Sequence, residues 1–167
     1  MATGDIKIID RGGHASIPTK EFQTAAASTA IYSGEPTMTT TLGSSQYIAV
    51  LTDGKPLIDT DTFTGIAAKA GTHTSALAGV CEVFLPLPGL IYSGKAKSTT
   101  AVDTQSEIDA LNFKRVFFDL TSSSYTVDTA ATDAVANPMI IIGGDPDTYQ
   151  VHFFMNSRGT ILGDYNV

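Results

Sequence analysis

Cysteine, tryptophan and positive charge are the scarce components of this chain. Cys81 is the only cysteine among 167 residues, which excludes an internal disulfide and any thiolate cluster for zinc or iron–sulfur. Tryptophan is absent and the six tyrosines are scattered. Charged residues make up 16% of the chain, against about 25% in a typical soluble domain. Ten Lys and Arg face seventeen Asp and Glu, for a formal net charge of −7. Nucleic-acid binding depends on Lys and Arg neutralising phosphates, so that partner is not expected. The densest basic stretch is only the pair Lys114–Arg115. The longest apolar runs, around 80–91 and 138–142, fall short of the roughly 20 residues a membrane helix needs. The opening Met-Ala-Thr-Gly-Asp-Ile-Lys has neither the basic start nor the apolar core of a signal peptide. The chain is therefore expected to be made and kept in the cytoplasm unless something carries it out, with no membrane partner.

The hydrophobic fraction of 43% excludes disorder throughout, and the length suits one domain with a real core. Thr, Ser, Ala and Gly fill the place of the missing charges, which favours β-structure and extended protein contacts. Strand patterns recur from residue 29 onward. Gln46–Leu51 is apolar and β-branched and runs to the turn dipeptide Asp53-Gly54. Thr62–Ala68 alternates, and Val80–Leu85 is a central strand stopped by Pro86 and Pro88. Further strands are predicted at 90–96, 116–120, 125–127, 139–142, 151–155 and 160–162. Thr104-Gln105-Ser106-Glu107 has the form of a capping box, with Ile108 and Leu111 following at helical spacing. It predicts one short helix over 104–112, plugging an open end of the fold. The expectation is a mainly β, single-domain sandwich or small, tulip-like barrel.

Residues 1–28 read differently from 29–167. Ile6, Ile8 and Ile9 form one short strand-like stretch broken by Arg11-Gly12-Gly13, and Ile17 and Phe22 are the only other sizeable apolar residues before a small-residue tract. So few anchors predict an extended N-terminal arm that becomes ordered where it lies on another surface, with a frayed terminus as the alternative. Ile6, Ile8, Ile9, Ile17 and Phe22 are its candidate contact residues.

Motifs for chemistry are weak. Gly89–Ala96 matches G-x-x-x-x-G-K-[ST] except at Ala96, which lacks the hydroxyl needed for magnesium, and its interior Leu90-Ile91-Tyr92 is β-forming. The alternative is a strand passing through Gly94. Asp53, Asp59, Asp61, Asp145 and Asp147 lack the spacing of a calcium loop and read as turn residues. His14, His73 and His152 include no pair at metal-binding spacing, and there is no G-x-S-x-G elbow. Cys81 alternates with Glu82 in an apolar run and reads as a buried hydrophobe rather than a reactive thiol. No catalytic residue, cofactor or metal site is assigned, and no enzyme is expected. A bacterial or phage β-domain that binds carbohydrate or another surface ligand is the alternative, although it calls for clustered exposed aromatics.

The order of segments carries a resemblance. Ile48-Ala49-Val50-Leu51-Thr52-Asp53-Gly54 leads to Phe63-Thr64-Gly65-Ile66-Ala67-Ala68, then Gly71-Thr72-His73-Thr74, Gly79–Pro86 and Leu90-Ile91-Tyr92. Tyr125–Asp128 and Ile140–Pro146 continue it. This series resembles the decoration, or cement, proteins encoded beside the capsid genes of tailed phages. The resemblance implies a β-rich knob, often a homotrimer, that binds the major capsid protein on the exterior of the virion and reinforces the lattice. It implies no catalytic residues.

Overall fold

The computed structural model describes residues 6–26, 28–42, 45–52, 62–121, 124–130, 137–156 and 160. Within them the chain forms β1 (Lys7–Asp10), β2 (Thr19–Thr24), β3 (Pro36–Leu42), β4 (Ser45–Val50), β5 (Phe63–Ala67), β6 (Gly79–Phe84) and β7 (Ile91–Lys95). A 3-10 turn at Thr99–Ala101 leads to α1 (Gln105–Leu111), then β8 (Arg115–Thr121), β9 (Ser124–Asp128), β10 (Met139–Asp145) and β11 (Gln150–Met155). The mainly β architecture with one short helix is as the sequence predicts.

The strands sort into two sheets. One is six-stranded and antiparallel, in the order β1-β7-β11-β10-β8-β9. The other is a closed barrel, β2-β4-β3-β5-β6, in which β6 pairs back onto β2. The chain enters the first sheet through β1, builds the whole barrel, then returns at β7. Pro86 and Pro88 lie at that return, where a missing amide donor ends β6 without breaking a ladder.

One core joins the sheets. Leu51, Phe63 and Ile66 of the barrel side pack with Tyr92, Phe118, Tyr125, Ile141 and Phe153 of the six-stranded sheet. Phe63 meets Tyr92 edge-on at 6.0 Å between ring centroids, and Tyr92 stacks on Phe153 at 5.6 Å. These are the separations at which ring quadrupoles attract. A smaller cluster of Ile31, Ile48, Ala67, Cys81 and Val83 fills the barrel.

The helix starts where its capping box places it. Thr104 accepts from the Glu107 amide through its side chain, and Glu107 reaches back to the Thr104 amide. Ile108 and Leu111 are buried, and α1 packs against β10. The turn at Asp53-Gly54 lies outside the described residues, as do residues 161 and 162 of the strand expected at 160–162. Thr160 forms a lone parallel bridge to Phe63.

The N-terminal stretch departs from the extended arm expected of it. β1 pairs with β7, and β2 pairs with β6 along its whole length, Thr19↔Phe84 to Thr24↔Gly79. Ile6 is only 2% exposed and belongs to the main core. The sparse apolar pattern misled because β2 lies on a small barrel, where most of its side chains face solvent. β3, Pro-Thr-Met-Thr-Thr-Thr-Leu, was concealed in the same way, since the β-branching of Thr rather than hydrophobic alternation makes it a strand.

Candidate functional site

The turn after β1 sets the site. The Asp10 carboxylate accepts from the Gly12 amide at 2.8 Å, and Arg11 Nη1 donates to the Ala15 carbonyl at 3.2 Å. Gly12 has φ +56, and a Cβ there would lie 2.4 Å from the Gly89 carbonyl oxygen. Only glycine fits that left-handed position against the β6–β7 connection. His14 Nε2 lies 3.0 Å from the Pro88 carbonyl oxygen, a second tie to the same connection. The turn is held from both sides, and it carries Ser16 and Ile17 toward the barrel.

A groove of about 700 Å³ opens between this N-terminal stretch and the barrel. The N-terminal stretch lines it with Ile6, Lys7, Ile8, Ile9, Arg11, Ser16 and Ile17, and the barrel side with Ser33, Gly34, Ile66, Ala67 and Phe84. Ile9 is 49% exposed, and Ile8 and Ile17 are half-buried. Four of the five candidate contact residues thus meet at one surface feature. Phe22 does not join them. It lies on β2, half-buried against the small barrel cluster, with Lys20 Nζ 5.4 Å above its ring.

The charges around the groove are unlike those of the chain as a whole. Its described lining contains Lys7 and Arg11 and no carboxylate, although the chain's net charge is −7. Asp10 lies between them in sequence, but its carboxylate is turned to the Gly12 amide.

Next to Ser33 and Gly34 is a group that the sequence did not mark. Glu35 is only 2% exposed, and its carboxylate accepts from the Tyr32 amide at 2.8 Å. Burial pushes its pKa up, and the backbone hydrogen bond opposes that shift. Nothing in the local sequence around Glu35 signals a buried acid. Cys81 is buried with its thiol donating to the Lys69 carbonyl at 3.3 Å. Burial, reinforced by the charges of Glu35 and Glu82, pushes that thiol up to about 11.

The other sequence motifs are dispersed. Ile91–Lys95 of the G-x-x-x-x-G-K stretch is β7, paired on one side with β1 and on the other with β11, so its backbone serves two ladders instead of cradling an anion. His73 Nε2 lies 3.2 Å from the Thr29 carbonyl, while His152 stands in β11 opposite Ser93. Asp145 accepts from the Asp147 amide and the Thr148 hydroxyl, as a turn residue does. Asp53, Asp59 and Asp61 lie outside the described residues. Among the described residues no three His, Cys, Asp or Glu are grouped to hold a metal ion, and no helix is long and apolar enough to cross a membrane. The exposed aromatics Tyr32, Phe113 and Tyr149 sit on three different connections.

Fold and site together define a two-sheet β protein with a cationic-rimmed apolar groove at its N-terminal strand. No protein-family model matches the chain, and neither a curated protein nor a solved structure shows significant similarity to it.

Proposed function

We propose that this chain is a structural accessory protein of a tailed-phage head, attached to the outer surface through the major capsid protein and self-associating there as a trimer. The observation that carries the reading is the convergence of Ile6, Ile8, Ile9 and Ile17 on one groove, with Ile9 left half in solvent. Apolar side chains gathered on one groove gain free energy when another surface covers them. The order of strand segments supports the same reading through its resemblance to decoration proteins. Low charge density supports it too, because a broad interface with few charges loses little on desolvation.

A protein that bridges capsid subunits binds the intact lattice better than separated subunits, and by linkage it stabilises the lattice. At free protein a hundred times Kd this is about 2.7 kcal/mol per site. Heads made without the protein should assemble and package DNA but release it at a lower temperature. Adding the purified protein back should restore resistance and saturate at a fixed ratio to capsid subunits. Heads unable to assemble without it would assign it to the shell or scaffold instead, and absence of binding to heads would end the capsid reading.

A further inference from the structure

We infer that the groove beside β1 takes an extended, acid-bearing segment of the partner as an added strand, with Lys7 and Arg11 reading its carboxylates. This deepens the capsid reading and rests on it only for the identity of the partner. Side chains along a strand alternate between its faces, so a groove under one face would touch every second residue. This groove touches Ile6, Lys7, Ile8 and Ile9 in succession. It therefore runs along the edge of β1, not beneath a face. Among the described residues β1 pairs on one side only, with β7, and it ends the order of the six-stranded sheet.

An edge strand with a free row of backbone donors and acceptors is a template for another strand unless it is charged, bulged or covered. β1 carries Lys7 and Asp10 and an irregularity in register between Ile8 and Asp10, so the edge is a template for a short segment only. The strand itself, Lys7–Asp10, runs about 10 Å at a strand's rise, enough to pair three or four residues of an incoming segment. The half-buried Ile8, Ile17 and Phe84, with the exposed Ile9, would take its inward side chains. The two cations on the rim, with no carboxylate in the described lining, favour acidic side chains on its outer face.

The test uses the full-length protein and synthetic blocked peptides by calorimetry. Val-Glu-Val-Glu-Val-Glu-Val should bind, Val-Lys-Val-Lys-Val-Lys-Val should bind about tenfold more weakly or not at all, and a version with a central proline should fail. Lys7→Glu with Arg11→Glu, both exposed positions, should reverse the preference for charge while leaving the far-ultraviolet dichroism unchanged. Equal binding of acidic and basic peptides would overturn the carboxylate assignment, and undiminished binding of the proline peptide would overturn strand addition. Amide exchange on the free protein adds a further check. If β1 were already protected on both edges, the chain's own residues would fill the groove and the inference would fall. An oligomer that dissociates as peptide is added would make a second copy the occupant, with the same consequence. Peptide failure beside intact attachment to heads would remove the strand mode alone. Peptide binding without attachment to heads would remove the capsid reading alone.

Discussion

The phenol of Tyr125 donates a 2.7 Å hydrogen bond to the carbonyl of Leu51, joining residues 74 apart in sequence. Tyr125 is on β9 of the six-stranded sheet, and Leu51 follows β4 of the barrel, so this buried bond connects the two halves of the fold. Burial, with the charge of Glu35 adding to it, holds the phenol well above its usual pKa and keeps it a donor. Tyr125→Phe removes the donor and leaves a buried carbonyl unsatisfied. It should cost about 1–3 kcal/mol in urea unfolding with an unchanged m value. A loss near zero would mean that the two sheets are held by apolar packing alone.

Ile6, which immediately precedes β1, and Ile9, which lies on it, have opposite duties. Ile6 is 2% exposed and Ile9 49%. Ile6→Ala should lower stability by about 2–5 kcal/mol, as for other buried aliphatic truncations. Ile9→Ala should change stability by no more than about 0.5 kcal/mol while weakening attachment to heads. Equal effects of the two on unfolding would contradict the division, and so would a stable fold after deletion of residues 1–10.

Gly94 belongs to the stretch that mimics a phosphate loop, yet its role is packing. A Cβ there would lie 2.7 Å from Ile6 Cδ1 and 3.1 Å from Val127 Cγ2. Gly94→Ala should therefore cost about 1–3 kcal/mol by overpacking. Lys95→Ala, at an exposed position, should be neutral to within about 0.5 kcal/mol. Saturable ATP binding that disappears with Lys95→Ala would restore a nucleotide role.

Glu35 should make stability depend on pH in a recognisable direction. Its carboxyl titrates above its ordinary 4.5 in the fold because burial penalises the charged form. Between the unfolded and folded pKa the unfolded chain binds fewer protons, so stability from this group is full below about 4.5 and falls as pH rises through the folded pKa. Glu35→Gln keeps an acceptor for the Tyr32 amide and removes the ionisation. The variant should be more stable than the parent at pH 7, with the gap closing as pH falls to 4. A constant gap across that range in thermal melts would show that the carboxyl does not titrate there.

Local chemistry determined a good deal of this protein. Thr104 and Glu107 cap the helix where their spacing puts them, since a capping box is satisfied within one turn. β5, β6, β7, β8, β10 and β11 were legible because each has an apolar side facing a core, and Pro86 and Pro88 end β6 by lacking a donor. Cys81 was legible as buried from the alternation around it. Tertiary structure alone decided that the sheets would be a barrel and a six-stranded sheet, because strand partners such as β2 with β6 and β1 with β7 are set by contacts far apart in sequence. It alone made β2 and β3 strands, since their Thr, Lys and Glu show little hydrophobic alternation and depend on ladders supplied by neighbours. Ile6, Ile8, Ile9 and Ile17 were visible as anchors, but the groove they share is lined on the barrel side by Gly34, Ile66 and Phe84, which no local pattern connects to them. The buried carboxyl of Glu35 is the clearest case: its environment is built by chain segments distant in sequence, and only their packing removes it from water.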